Sequence, residues 1–498
     1  MNNGRICIPV CARTAGETLR EIRRAETLAD VIEIRFDCLE NGQTELLLAE
    51  IAKSKIGKPL LATFRSPEQG GYGNACRAER LAFWNQDFSG FWAVDVEQDI
   101  ASEISVDTMK IASFHDFERT PDNLEEICWS LAASGSDVVK IAVAAADVTD
   151  AISVWELNAG EKPLIPIAMG EAGKWTRILG PAHGRLLTYA SLDDGKGTAD
   201  GQITAQEMLD IYRVKNLNKD TRVFGVIGDP VSSSLSPYMH NPAFSASNEN
   251  AVFMHLQVTD LDQFLRRMVK AETSEVDLNF AGFSVTMPHK QAVMKYLDEI
   301  DPVAQKIGAV NTVKVDRDGR MTGYNTDAYG FLLPLKEHFG DLSKARAAVF
   351  GAGGASRACV YSLKEEGAKV TVFARDPKRA EALSRQFDVA VMPMSTFSDR
   401  SGTACDLVVD TTPLGMKGPF ENESLLTSDE LLGVRFVFDL VTSPGDTPLI
   451  TAAKQAGIPA MGGIEMLIAQ GAKQFEIWTG HEAPIALMRA AVLARLNR

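Results

Sequence analysis

Lys140 stands in the run DVVKIAVA (137–144), a cation flanked by Val138, Val139, Ile141 and Val143. Burial disfavours an ammonium group, and a nearby Arg or His⁺ disfavours it further, so its pKa is expected to fall from ~10.4 toward ~7–8. A free amine at that position can attack a ketone and form a Schiff base. The competing reading is a strand lysine whose stem covers apolar surface while its head reaches solvent or pairs a carboxylate. Glu33 and Arg35 in VIEIRFD (31–37), Arg65 at the end of PLLATFR (59–65) and His115 in TMKIASFHD (108–116) are also charged or titratable residues set in apolar runs. Glu33 and Arg35 are two apart, which puts both on one face of a strand. A different chemistry is suggested by GAGGAS (351–356), which lies between the apolar AAVF and the helix-like RACVYSL. Glycine turns between strand and helix also occur without a nucleotide. In this setting, though, the glycines would permit a tight turn and bring the helix N-terminus to a pyrophosphate.

These residues need elements that bring them together. From residue 6 to about 213, eight β-rich runs alternate with helix-like stretches: ICIPV, VIEIRFD, PLLATFR, FWAVDVE, TMKIASFHD, DVVKIAVA, PLIPIAMG and LLTYASL. About eight β/α units in so short a span fit a (β/α)₈ barrel at the small end of that fold; an open doubly wound sheet is the alternative. In a barrel, the C-terminal ends of the strands line the active site. NLNKDTR (216–222) is polar and follows the helix-like AQEMLDIYRV, which places a boundary near residue 218. The expected division is a barrel over 1–217, an α/β substrate-side region over 222–326, and a Rossmann-type α/β nucleotide-binding region over 327–463. The last helices, about 464–498, are amphipathic and could pack back on either region.

Length and composition agree with this division. At roughly 150 residues per domain, 498 residues suggest about three domains. The chain is 45% hydrophobic and 23% charged, which excludes a broadly disordered or fibrous protein. Lys+Arg 51 against Asp+Glu 66 gives a net charge of −15, which repels nucleic acid and anionic membrane. An anionic substrate must therefore be held by locally placed Arg and Lys. The seven cysteines are odd in number and lie mostly in or beside apolar runs rather than in a paired framework, so a reducing cytoplasm is expected. Neither signal-peptide pattern nor metal-type His or Cys spacing stands out, and no metal is expected.

The ordered motifs IEIRFD, TFRSPEQGG, SFHDFERTP, VVKIAV and GTADGQ resemble type I 3-dehydroquinate dehydratases over residues 5–215. The resemblance implies that Lys140 forms an imine with the substrate's 3-keto group and that His115 shuttles protons. It also implies that Glu33 positions the histidine and that Arg177, in GKWTRILG, clamps the carboxylate. Arg35, Arg65, Thr198 and Gln202 match the remaining substrate contacts. Family members often carry a glutamate four residues after the arginine of TFR. Here that position is Gln69, with Glu68 one step early, and Thr198 stands where serine is common.

GDPVSSSLSP, FSVTMPHK, GAVNTV, GYNTDAYGF, TTPLGM and MLIAQG resemble shikimate dehydrogenases over 222–498. Lys290 and Asp327 then correspond to the catalytic pair. Ser234, Ser236, Thr286, Asn311 and Gln470 supply the hydroxyl and amide partners that a polyhydroxy carboxylate wants. Gly351, Ala352, Gly353, Gly354, Ala355, Thr412 and Met416 fall at cofactor positions. Where an NAD enzyme usually carries an acid, KVTVFARDPKRA carries Arg375, Lys378 and Arg379, with Asp376 between, which favours the 2′-phosphate of NADP. Ser233 and Thr442 depart from the family's usual histidine and tyrosine. The first family's product is the second's substrate, so one chain is expected to convert 3-dehydroquinate to 3-dehydroshikimate and then, with NADPH, to shikimate. An NAD-dependent quinate dehydrogenase and a non-catalytic metabolite sensor are the alternatives. The expected partners are small-molecule substrates, not nucleic acid or membrane.

Overall fold

The computed structural model describes residues 4–195, 197–397, 405–443 and 445–497. It divides into two compact units, one holding the chain up to Gly225 with Pro230–Ser232 and Asn250–Phe280, the other holding the remainder.

In the first unit, eight strands form one parallel sheet: β1 (Ile6–Val10), β2 (Val31–Arg35), β3 (Leu60–Thr63), β4 (Ala93–Glu97), β5 (Met109–Asp116), β6 (Val138–Ala144), β7 (Leu164–Met169) and β8 (Thr188–Tyr189). Their order is β7-β6-β5-β4-β3-β2-β1-β8, with β8 returning to β1. Leu186 N–H donates to Leu164 O at 3.5 Å across the remaining seam, so the sheet is a nearly closed barrel rather than an open doubly wound one. The strands read as continuous apolar runs because both faces of a parallel sheet are covered. Connecting helices such as Ala15–Ala25 and Leu124–Ala133 turn buried residues, including Ile22 and Leu131, toward it. Register then sets the active layer. Arg35 pairs with Thr63, Thr63 with Asp95, Glu97 with Ser113, and Ser113 with Lys140.

The second set of strands makes two six-stranded sheets. β9 (Arg222–Gly228), β10 (Ala251–Gln257), β11 (Phe280–Val285), β12 (Glu299–Ile300), β13 (Thr312–Val315) and β14 (Met321–Tyr324) run in the order β10-β9-β11-β13-β14-β12. β15 (Arg346–Phe350), β16 (Lys369–Ala374), β17 (Ala390–Pro393), β18 (Leu407–Asp410), β19 (Phe436–Asp439) and β20 (Ala460–Met461) run in the order β17-β16-β15-β18-β19-β20, all parallel. That is the doubly wound dinucleotide-binding order, and its ligand crevice lies where the order reverses, between β15 and β18. The last helices pack on the substrate side. Trp478 Nε1 donates to Val313 O at 3.0 Å and Gln474 Nε2 to Thr312 Oγ1 at 2.9 Å. Among the described residues, no helix is long and apolar enough to cross a membrane.

One expectation is corrected. The cysteines do include a pair: Cys11, one residue past β1, is disulfide-bonded to Cys38, at the end of the turn Phe36–Cys38 after β2. β1 and β2 are parallel neighbours, so their C-terminal ends emerge side by side and bring the two Cα atoms to 5.5 Å. An odd cysteine count carries no information about that adjacency. A cross-link spanning 27 residues restrains the unfolded chain by about 2–4 kcal/mol. Cys11→Ser is therefore expected to lower the barrel's unfolding free energy by that amount in oxidising buffer, and the difference should vanish when denaturation is followed with excess reductant.

Candidate active sites

All eight barrel residues singled out from the sequence line one cavity: Glu33, Arg35, Arg65, His115, Lys140, Arg177, Thr198 and Gln202. Strand alternation brings them there. Glu33 and Arg35 share a face of β2, and register sets His115 beside Ala142, two residues beyond Lys140 on β6. Lys140 is 4% exposed, and its Nζ lies 2.8 Å from Asp95 Oδ2, 3.9 Å from Glu33 Oε1 and 4.2 Å from the centre of the Tyr189 ring. The expected neighbours of the lysine were cations; carboxylates stand closest.

Asp95 escaped the sequence reading. It accepts from Arg65 Nη2 at 2.9 Å and from Ser113 Oγ at 2.5 Å, in addition to Lys140. Burial alone would raise its pKa, but Arg65 and Lys140 outweigh burial and hold the carboxyl well below the usual range. The signal was present in AVDVE (93–97), where Asp95 and Glu97 alternate onto one face, as Glu33 and Arg35 do. Glu97 takes Arg80 Nη1 at 2.5 Å and the N–H of Ser66 at 2.9 Å. Glu33 accepts from Thr63 Oγ1 at 2.7 Å, and Arg35 is held by Asp37 through two bonds of 2.8 and 2.9 Å.

Gln69 reaches His115 despite its departure from the family pattern. Its Oε1 accepts the backbone N–H of His115 at 3.1 Å and lies 3.2 Å from His115 Nδ1. Burial, then Arg65 and Lys140, push the imidazole well below its ordinary pKa, so it is a neutral base at pH 7. Arg177 is 2% exposed, and its Nε has no hydrogen-bond partner among the described residues. Burial lowers it to about 10. A buried guanidinium facing a cavity without an acceptor suits an incoming carboxylate. Thr198 N–H donates to Gln202 Oε1 at 2.9 Å, which ties those two contacts into one loop.

A second cavity, in the other unit, gathers Ser234, Ser236, Thr286, Lys290, Asn311, Asp327 and Gln470, together with Thr442. Lys290 Nζ lies 2.5 Å from Asp327 Oδ2, and Asn311 Nδ2 donates to Asp327 Oδ1 at 2.8 Å. Asn311 is itself fixed, since its Oδ1 accepts the N–H of Thr326 at 2.8 Å and Thr312 Oγ1 at 2.8 Å. Asp327 opens the helix Asp327–Phe339, where a carboxylate is favoured by the helix dipole. Gln470 arrives from the helix Ile464–Thr479, and Ser234 Oγ donates to Ser236 Oγ at 3.2 Å.

The residues expected at the cofactor sit at the C-terminal edge of the doubly wound sheet. Gly351, Ala352 and Gly353 form the turn after β15, and Gly354 and Ala355 open the helix Gly354–Glu365. Gly351 has φ +112, and a Cβ there would meet Thr411 Oγ1 at 2.3 Å, so that position needs glycine. A Cβ on Gly353 would meet nothing, and the helix start has no side-chain cap, which leaves its N–H groups open to an anion. A methyl on Gly354 would stand 3.0 Å from Lys290 Cδ, so the turn runs directly beside the second cavity. Thr412 and Met416 lie in the loop after β18, and Arg375 is exposed just past β16. Asp376 Oδ1 caps the following turn by accepting the N–H of Lys378 at 3.1 Å. The side chain of Arg379 lies outside the described residues. This turn and the basic residue beyond β16 fit a dinucleotide with a 2′-phosphate.

Comparison with known proteins matches the type I 3-dehydroquinase model to residues 6–219. The shikimate dehydrogenase substrate-binding domain matches 226–313, shikimate/quinate 5-dehydrogenase 335–413, and the shikimate 5′-dehydrogenase C-terminal domain 463–493. The chloroplastic bifunctional 3-dehydroquinate dehydratase/shikimate dehydrogenase of Arabidopsis thaliana is 35% identical over 511 residues, 97% of this chain and 83% of that protein. The chain belongs to the bifunctional 3-dehydroquinate dehydratase/shikimate dehydrogenase family. It joins a dehydroquinase lyase to an NADP-dependent shikimate dehydrogenase. Within the dehydrogenase half, the shikimate dehydrogenase (NADP⁺) of Methanopyrus kandleri is 40% identical over 291 residues, 57% of this chain and 98% of that protein. A shikimate dehydrogenase solved in complex with NADP⁺ covers 57% of this chain and 98% of its own, at 35% identity and a TM-score of 0.51.

If Arg375 meets the 2′-phosphate as expected from the sequence, that charge-assisted hydrogen bond would contribute about 1.5–3 kcal/mol. Arg375→Ala is expected to raise KM for NADPH roughly tenfold or more and to leave KM for NADH nearly unchanged. Steady-state kinetics with both cofactors checks this, and an equal loss for both would remove the arginine from 2′-phosphate recognition.

Proposed function

We propose that Lys140 carries the dehydration. Its amine attacks the C3 ketone of 3-dehydroquinate and water leaves as the imine forms, making the neighbouring C–H acidic. Neutral His115 takes that proton through the imidazole nitrogen not facing Gln69, and the C–H electron pair passes into the imine to give an enamine. Return of that pair forms the new C=C bond and expels the hydroxyl, which leaves as water with the proton from His115. Hydrolysis of the imine frees 3-dehydroshikimate and Lys140, so the net change is loss of one water. Asp95 and Arg65 hold the lysine in place, Glu33 positions the substrate, Arg177 takes the carboxylate, and Arg35, Thr198 and Gln202 bind the hydroxyls. The observation that carries this reading is the pairing, in one cavity, of a buried lysine with a buried guanidinium whose Nε lacks an acceptor.

In the second cavity, Ser234, Ser236, Thr286, Asn311 and Gln470 bind 3-dehydroshikimate. NADPH supplies the hydride when bound. Lys290 donates a proton to the carbonyl oxygen, and Asp327, anchored by Asn311, holds the ammonium for that transfer. The proposal divides the chain into a dehydratase barrel over 1–217, a substrate-binding region over 222–326 completed by the last helices, and a cofactor region over 327–463. It places the enzyme in the cytoplasm, where Cys11 and Cys38 would be a dithiol.

Two experiments test these roles. Borohydride added with 3-dehydroquinate should trap an adduct on Lys140, read by mass spectrometry. Lys140→Ala should abolish dehydration while leaving 3-dehydroshikimate reduction near the unmodified rate; full dehydratase activity in that variant would falsify the imine. Asp327→Asn and Lys290→Met should each lose roughly 10²–10⁴ in kcat for reduction, the double variant little more than either, with dehydration intact in all three. A surface ion pair would instead change only stability, by ~0–1 kcal/mol.

A further inference from the structure

Two buried carboxyl groups belong to neither constellation. Asp410 ends β18 and Asp439 ends β19, and the two are register partners on adjacent parallel strands, so their side chains leave the same face of the sheet. Both are 0% exposed. Among the described residues, the ionisable group acting on Asp410 is Asp439, and every group bonded to either carboxyl is neutral. Thr412 N–H donates to Asp410 Oδ1 at 2.7 Å, Val441 N–H to Asp439 Oδ1 at 2.9 Å, and Thr447 Oγ1 to Asp439 Oδ2 at 2.5 Å. The fourth oxygen, Asp410 Oδ2, is buried without a hydrogen-bond partner. Two carboxylates side by side in a dry site cannot both stay ionised without a cation; one retained proton removes the repulsion and gives the orphan oxygen a bond to make.

We propose that Asp410 and Asp439 share one proton, carried by Asp410, and that the pair in this state anchors the two loops flanking the dehydrogenase site. One loop begins at Thr412 and carries Met416. The other runs from Leu440 through Thr442, both lining the Lys290 cavity, to Thr447, which caps the helix Pro448–Gln455. Burial, then Asp439, push Asp410 up to about 7, and burial raises Asp439 as well. Between the unfolded value of 3.8 and about 7 the native state therefore holds a proton that the unfolded chain has lost. Stability falls as pH rises through that window and levels off above it. Above pH 7 the second negative charge loosens both loops. The effect on NADPH rests on the reading that the 412–416 loop contacts the cofactor.

The test uses the full chain and Asp410→Asn, which keeps an acceptor for Thr412 N–H and gives Asp439 a neutral donor. Infrared difference spectra without cofactor should show a protonated-carboxyl band lost on crossing pH 7 and missing from the variant. KM for NADPH should climb above pH 7 in the unmodified chain, by up to about tenfold per pH unit, and stay flat in Asp410→Asn. The dehydration profile, the internal control, should be the same in both. Asp410→Ala, which loses the Thr412 anchor, should raise KM at every pH. A band that persists in Asp410→Asn, or a KM profile identical in the two proteins, would overturn the proposal. If the chain reduced no 3-dehydroshikimate at any pH, the reading of the second site would fail, while the infrared band and the relative thermal stability of Asp410→Asn above pH 7 would still decide the shared proton.

Discussion

Asp95 is a fully buried carboxylate with two cations on it, and the mouth of the barrel is built outward from that charge. Lys140 at 2.8 Å and Arg65 at 2.9 Å neutralise it, and Ser113 at 2.5 Å satisfies its other oxygen. Removing one partner from such a network leaves an uncompensated buried charge, at a cost of about 3–5 kcal/mol. Each partner is therefore fixed in direction. Arg65 satisfies Asp95 by lying across β4 and β5, where its Nη1 also reaches Ser113 at 2.7 Å. Lys140 can satisfy it only by pointing into the cavity, within reach of a ketone. The arginine that pins Asp95 also adds to burial in keeping His115 neutral, so one ion network fixes Lys140 and sets the protonation of the imidazole proposed to act beside it.

The dehydrogenase half reaches the same end with less burial. The Lys290 side chain is 20% exposed against 5% for Lys140, so its partner needs less compensation. Geometry there is held by neutral groups. Asp327 is fixed by Asn311, Asn311 by Thr312 and Thr326, and Thr312 by Gln474 from the helix Ile464–Thr479. That helix also delivers Gln470 to the cavity. A segment almost 140 residues downstream of Asp327 in sequence thus completes its support, which explains why the last helices pack on the substrate side.

Much of this was legible in the residues. Seven of the eight barrel strands coincide with apolar runs because a strand buried on both faces must be apolar throughout. β8 shrinks to Thr188–Tyr189 within LLTYASL, where Ser191 leaves the barrel to bridge Thr204 instead. Lys140 was legible because a charge inside such a run demands a reason. Asp95 carried the same signal, an acid alternating with Glu97 inside an apolar run, and was passed over; Asp410 was hidden because an acid at the end of a strand reads as the point where the chain meets solvent. The Cys11–Cys38 pair was hidden for a different reason: its proximity follows from which strands are neighbours, a property of the closed sheet and not of local pattern. The final helices announced a buried face by their periodicity but not the surface it would cover.

Asp95 and Asp410 make the general point in one molecule. Asp95 sits in the middle of β4 and Asp410 ends β18, but both are on parallel strands, both are 0% exposed, and burial is the largest influence on each, pushing both toward the neutral acid. Their neighbours then separate them. Asp95 has Arg65 and Lys140, whose attraction outweighs desolvation and keeps it ionised; Asp410 has Asp439, whose repulsion adds to desolvation and carries it to about 7. Residue type and burial are the same, yet one group is a fixed negative charge and the other a proton carrier. What a buried aspartate on a parallel strand does is therefore decided by the sign of the charge that the fold brings beside it. In this chain the strand order sets that sign: Arg65, just past the neighbouring β3, and Lys140, reaching across β5 from β6, meet the barrel carboxylate, while register with β19 sets a second carboxyl beside its counterpart in the dinucleotide fold.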